Sequence, residues 1–171
     1  MSIINSSHIE QGMKLIDQIY ESPTAFHAVE NLKTILNDSG YTELDESEKW
    51  VLENNHGYYV SRNNSALIAF RVGNQNPDQT GFKIIGSHTD SPTFRIKPSA
   101  VITAESSYIK LNTEIYGGPI LNTWFDRPLA IAGRVTLKSD NILFPKTKLI
   151  NINKPLLIIP NLAIHMNRDV N

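Results

Sequence analysis

The chain of 171 residues contains no cysteine. That removes disulfide frameworks, thiol nucleophiles, cysteine-type zinc ribbons and iron–sulfur clusters together, so any metal held here must use His, Asp and Glu. Charge of one dominant sign is also missing. The chain's 16 Lys and Arg oppose 17 Asp and Glu for a formal net charge of −1, and no run of five like charges occurs. The electrostatic footprint of a general nucleic-acid binder is therefore absent. Long apolar runs are missing too: Ala66 to Phe70 and Leu156 to Ile159 are the longest, about a quarter of the ~20 residues that span a bilayer. The opening MSIINSSHIE has neither a basic stretch nor an apolar one, so the cytoplasm is the expected compartment, with no membrane partner. No P-loop, G-x-G-x-x-G, G-x-S-x-G elbow or H-E-x-x-H is present.

What is there suffices for one domain, or for one domain and part of another. The first forty or so residues read as two helices. Ser6-Ser7 with Glu10 is a capping-box pattern, after which Ile9, Met13, Ile16 and Tyr20 form one stripe that should face a core. Ser22-Pro23 offers an N-cap with proline at the first helical position; Ala25, Val29, Leu32 and Leu36 repeat the spacing until Asp38-Ser39-Gly40 stops it. From Trp50 the period changes to two. Tyr58 to Ser61, Ala66 to Val72 and Phe82 to Ser87 are strand candidates, the third reading as buried on both faces and as hairpin partner of the second. Beyond Pro98, Tyr108 to Tyr116, Leu129 to Lys138, Lys148 to Ile152 and Leu156 to Ile159 are strand-like, with no helical pattern between them. Helices first and strands after make an α/β or α+β start, with a boundary expected near Lys97-Pro98-Ser99.

The sharpest local feature is the apolar run Phe82 to Ile85 leading into Gly86-Ser87-His88-Thr89-Asp90-Ser91-Pro92. If the run is a strand, His88 and Asp90 stand at its C-terminal end, where open α/β sheets collect ligands, and project to one side. That suits a metal-bound imidazole on His88 with Asp90 holding its geometry or meeting a second ion. The plainer reading is a surface histidine beside a turn-capping Asp-Ser-Pro. His8, His27 and His56 read as solvated or structural. His165 ends another apolar run, Ile158 to Ile164, and either converges on a site or caps a strand. Tyr116-Gly117-Gly118-Pro119 followed by Asn122 to Pro128 clusters glycines, prolines, Trp124 and Phe125, which reads as a tight turn and a buried anchor.

Taken in order, Ser22-Pro23-Thr24-Ala25-Phe26-His27-Ala28-Val29, Gly40 to Leu44 running on to Trp50, Gly86 to Pro92, Tyr116-Gly117-Gly118 with Thr123 to Arg127, and Ile159 to His165 resemble segments of the M18 metallopeptidases, the aspartyl aminopeptidase family. The resemblance implies an α/β fold: the start of a zinc-exopeptidase-type catalytic domain over residues 1–98, followed over 99–171 by part of an inserted β-rich domain used in oligomerisation. It implies a zinc-dependent aminopeptidase that removes N-terminal residues, often acidic ones, from peptides with two zinc ions, assembled as a large homo-oligomer, a dodecamer. By the same resemblance His88 matches a zinc ligand, Asp90 the carboxylate that orients and activates the site, and His165 a histidine that is either a ligand or a substrate contact. The family's further ligands include a Glu-Glu pair, and no Glu-Glu dipeptide occurs here. The expectation is an incomplete N-terminal fragment that binds zinc weakly and hydrolyses nothing alone. A non-catalytic oligomerisation module, or a two-metal exopeptidase of other specificity, is the competing expectation.

Overall fold

The computed structural model describes residues 6–141, 143 and 145–168. It divides into two compact units, Met1–Asp90 with Ala132–Asn151, and Ser91–Ile131 with Ile152–Asn171.

In the first unit, α1 (Ser6–Glu21) and α2 (Ala25–Asp38) form where the 3.6-residue spacing places them. The stripe on α1 was expected to face a core, and it does not: Ile9, Met13, Ile16 and Tyr20 are all exposed, and the helix buries no residue. Periodicity marks the face that seeks cover but carries no information about what covers it. On α2 the same spacing does bury Val29 completely. The cap also differs from expectation by two residues. Thr24, not Ser22, is the N-cap, and its Oγ1 accepts from the His27 N–H at 3.4 Å. The Ser22 hydroxyl is occupied otherwise, accepting from Asn31 Nδ2 at 3.0 Å. His27 Nδ1 lies 2.8 Å from the same Thr24 oxygen, so this histidine is part of the cap, with its pKa lowered by burial. Gly40 stops the helix at φ 77°, a conformation glycine takes without cost.

The sheet of this unit has the order β1-β2-β3. β1 (Thr42–Glu43) runs parallel to β2 (Gly57–Arg62), and β3 (Ala66–Arg71) pairs antiparallel with β2. Because β2 is central, its Tyr58, Tyr59 and Val60 join Val29 as the buried hydrophobic residues among those described. Gly57 is required at its position, since a Cβ there would lie 2.6 Å from the Tyr41 ring. Tyr59 brings a hydroxyl into this core and satisfies it: Oη donates to Asn37 Oδ1 at 2.9 Å and reaches Glu43 Oε2 at 3.4 Å. Burial raises the Tyr59 pKa. Burial also works to raise that of Glu43, but the Lys33 ammonium at 2.6 Å and the Ser61 and Tyr59 hydroxyls outweigh it and hold the carboxyl below its ordinary range. Replacing Tyr59 with Phe is therefore expected to destabilise the chain by about 1 kcal/mol, the net worth of one hydrogen bond. Tyr59→Ala should cost about 3–5 kcal/mol through the cavity it leaves. Urea denaturation of both variants checks the ratio; no loss of stability in Tyr59→Phe would mean that the hydroxyl network is irrelevant.

The third expected strand does not form. Phe82 to Ser87 follows a short helix, α3 (Pro77–Thr80), and lies outside any described ladder, with Phe82, Ile84 and Ile85 exposed to 80, 86 and 98%. A largely apolar run such as Phe82-Lys83-Ile84-Ile85 forms a two-sided buried strand only where neighbours flank it, and the sheet described here ends at β3.

In the second unit, β4 (Thr93–Ala104) and β5 (Tyr108–Tyr116) make an antiparallel ribbon. Lys97, Pro98 and Ser99 fall inside β4, at a register shift between Ile96 and Val101, where a residue lacking an N–H is tolerated. β6 (Leu129–Thr136) pairs with β7 (Thr147–Leu157), which is one strand where two were expected, running through Pro155 without a break. The chain passes between the two units within these strands. Trp124 meets Phe94 edge-on at 5.2 Å and is half-buried, as is Phe125. Gly117, at φ 72°, brings the backbone close to Pro92.

Candidate metal centre

Residues 81–88 carry no regular secondary structure, so His88 and Asp90 stand on an irregular segment and not at the end of a strand. The pair is nevertheless brought together. His88 Nδ1 lies 2.9 Å from the Asp90 carbonyl oxygen and 3.1 Å from Asp90 Oδ1. Both oxygens are acceptors, so Nδ1 must carry the proton. In the neutral ring Nε2 then keeps the lone pair. This is the tautomer in which a histidine ligates through Nε2 while a carboxylate and a backbone carbonyl hold its ring. The side chains are 80% and 44% exposed, which leaves room for additional donors to approach.

The donor set therefore fits one position of a zinc site: a neutral imidazole with its orienting carboxylate. It does not fill one. Among the described residues no three His, Asp or Glu side chains converge on a common point. His165 belongs to the second unit, exposed on the 3-10 turn Ile164–Met166. His56 is engaged structurally, its Nε2 2.8 Å from Thr42 Oγ1 and its ring edge-on to Tyr58 at 4.7 Å. His8 is exposed in the first turn of α1.

Thr89, between His88 and Asp90, is also engaged. Its Oγ1 donates to the Ser65 carbonyl at 2.8 Å, tying the segment to the turn that joins β2 and β3. A threonine between two more conspicuous residues gives no periodic or compositional signal, and its partner lies 24 residues away.

Residues 18–171 match the sequence model of a family described as "Aminopeptidase I zinc metalloprotease (M18)". The chain belongs to the M18 family. Its curated relatives include a "Probable M18 family aminopeptidase 2" of Clostridium novyi (strain NT), 67% identical over 163 residues. That match covers 95% of this chain but 38% of the relative, so the chain spans little more than a third of the length of such M18 proteins. Among solved M18 structures, the one described as "Cryo-EM structure of the Ape4 and Nbr1 complex" superposes with a TM-score of 0.83 at 40% identity, covering 92% of this chain and 30% of that one. "Structure of S. cerevesiae mApe1 dodecamer" gives a TM-score of 0.80 at 30% identity, over 90% of this chain and 36% of that one. The mixed helix and strand arrangement is thus that of M18 aminopeptidases over the part they share.

Proposed function

We propose that the protein to which these residues belong is a zinc-dependent aminopeptidase that cleaves N-terminal residues, acidic ones among them, from peptides in the cytoplasm. The observation that carries this reading is the His88–Asp90 pair, held in the ligating tautomer, in a chain that belongs to a family of zinc metalloproteases. His88 offers Nε2 to a metal, and Asp90 fixes the ring and adds negative charge beside it. Two zinc ions, when bound, supply an acidified water and a Lewis acid for the scissile carbonyl. The remaining ligands come from sequence outside these 171 residues, in keeping with the 38% coverage of the relative. His165 serves either as a ligand or as a contact to substrate.

In this reading residues 1–98 open the catalytic domain and residues 99–171 belong to an inserted domain used for assembly into a large homo-oligomer. The exposed apolar side chains of the β4–β5 ribbon, Val101, Ile102, Tyr108 and Ile109, favour that second role. So does the dodecameric state named for one structural relative.

The test uses the whole protein and a panel of acidic, basic and neutral aminoacyl substrates. Activity should disappear on dialysis against 1,10-phenanthroline and return with zinc, and acidic substrates should give the highest kcat/KM. Full activity after the metal has been removed would end the proposal. Reading the coding sequence past Asn171 offers a cheaper check, since the absence of a downstream Glu-Glu pair would be equally damaging.

A further inference from the structure

The Phe82 to Ser87 run has no described ladder partner, and Ile84 and Ile85 are almost fully exposed, so no strand pairing among the described residues sets where His88 stands. The His88–Asp90 contact does not set it either, because it is internal to the element and turns the ring relative to residue 90. A tie to the rest of the unit has to come from elsewhere, and Thr89 makes one. Its hydroxyl donates to the Ser65 carbonyl at 2.8 Å from a part-buried position.

The acceptor sits on unusually well-fixed backbone. Ser65 closes the β2–β3 turn, its N–H donating to the Arg62 carbonyl at 3.1 Å, while Asn63 and Asn64 both hold positive φ, 52° and 50°. Asparagine takes this conformation readily in a hairpin turn, and further contacts hold the turn in place. Arg134, from β6, donates through Nη1 to the Asn63 carbonyl at 2.7 Å and to Asn63 Oδ1 at 3.2 Å, and its guanidinium lies 4.0 Å from the Phe26 ring centroid on α2. A hairpin turn, a guanidinium and an aromatic ring thus brace the carbonyl that Thr89 holds.

The geometry points to Thr89 as the positioning residue of the metal-binding element: its hydroxyl locks the His88–Asp90 pair to the braced β2–β3 turn, so that Nε2 meets a metal at a fixed place. This rests on His88 being a ligand. Thr89 touches neither metal nor substrate, and its contribution is to remove the freedom that the element would otherwise lose on binding the ion. Hydrogen bonds made directly to a metal ligand change metal affinity by about 10- to 100-fold when deleted, and the lower end of that range is the expectation for one that positions the whole element.

The experiment measures zinc affinity of the whole protein by competition with a chromophoric chelator, alongside thermal unfolding of the metal-free form. Thr89→Val keeps the shape and deletes the hydroxyl; it should weaken zinc about 10-fold or more. Thr89→Ser restores the hydroxyl and should bind zinc within about twofold of the parent, a rescue that a packing role for the threonine methyl would not give. If Thr89→Val does not fold, Thr89→Ala against Thr89→Ser asks the same question, and the serine form must bind at least about 10-fold more tightly. His88→Ala is the control. Weakened zinc in His88→Ala with unchanged zinc in Thr89→Val overturns the positioning role and leaves the metal reading intact. Unchanged zinc in His88→Ala overturns both.

Discussion

Replacing His88 with alanine in the whole protein is expected to abolish measurable aminopeptidase activity while leaving the oligomer assembled. A metal acting as Lewis acid contributes several kcal/mol to the transition state; a loss of about 4 kcal/mol corresponds to a fall in kcat/KM on the order of 1,000-fold. The fold should barely register the change, because the side chain is 80% exposed and its described contacts go only to Asp90. Activity and size-exclusion profile, measured on one preparation, check both halves. A variant that keeps its activity but loses its assembly would show that this segment serves as an interface.

The neighbouring carboxylate should behave differently. The Nδ1 proton is held twice, by the Asp90 carbonyl oxygen at 2.9 Å and by Oδ1 at 3.1 Å. Deleting the side chain therefore leaves the tautomer supported by the backbone and removes mainly negative charge. Asp90→Asn and Asp90→Ala should on that account be impaired to a similar degree, because neither restores the charge.

The parts of the fold that could be read from the sequence are those whose cause is local. The strand over Tyr58 to Ser61 and the stripe through Val29 announce themselves because spacing and burial agree there: Tyr59 and Val29 are the largest fully buried side chains described. Spacing misleads where the covering partner is not among these residues. The α1 stripe and Phe82, Ile84 and Ile85 are apolar enough for a core, yet all lie open. For the candidate site, the residue types of His88 and Asp90 and their separation by one residue were legible, while the tautomer was not. Nothing in a one-dimensional reading says that a backbone carbonyl joins the carboxylate in accepting from Nδ1. The Thr89–Ser65 contact was hidden for a related reason: it depends on where a turn with two left-handed asparagines comes to rest.

Ile85 offers the second large effect, because its environment should differ sharply between this stretch and the whole protein. At 98% exposed it makes almost no contact here, so Ile85→Ser should change the unfolding free energy of the 171-residue chain by no more than about 0.5 kcal/mol. The run Phe82-Lys83-Ile84-Ile85, three of its four residues apolar, leads into the proposed metal-binding element, and M18 relatives are more than twice this length, which can supply neighbours for it. With those neighbours in place the same substitution removes a buried aliphatic side chain and should cost about 2–5 kcal/mol. The 171-residue chain alone should bind an apolar dye such as ANS strongly, and the whole protein weakly. Equal destabilisation by Ile85→Ser in the two contexts would mean that the run is a surface segment in both. His88 would then be positioned without any strand beneath it, and the Thr89 hydroxyl would be the principal tether of the metal-binding element.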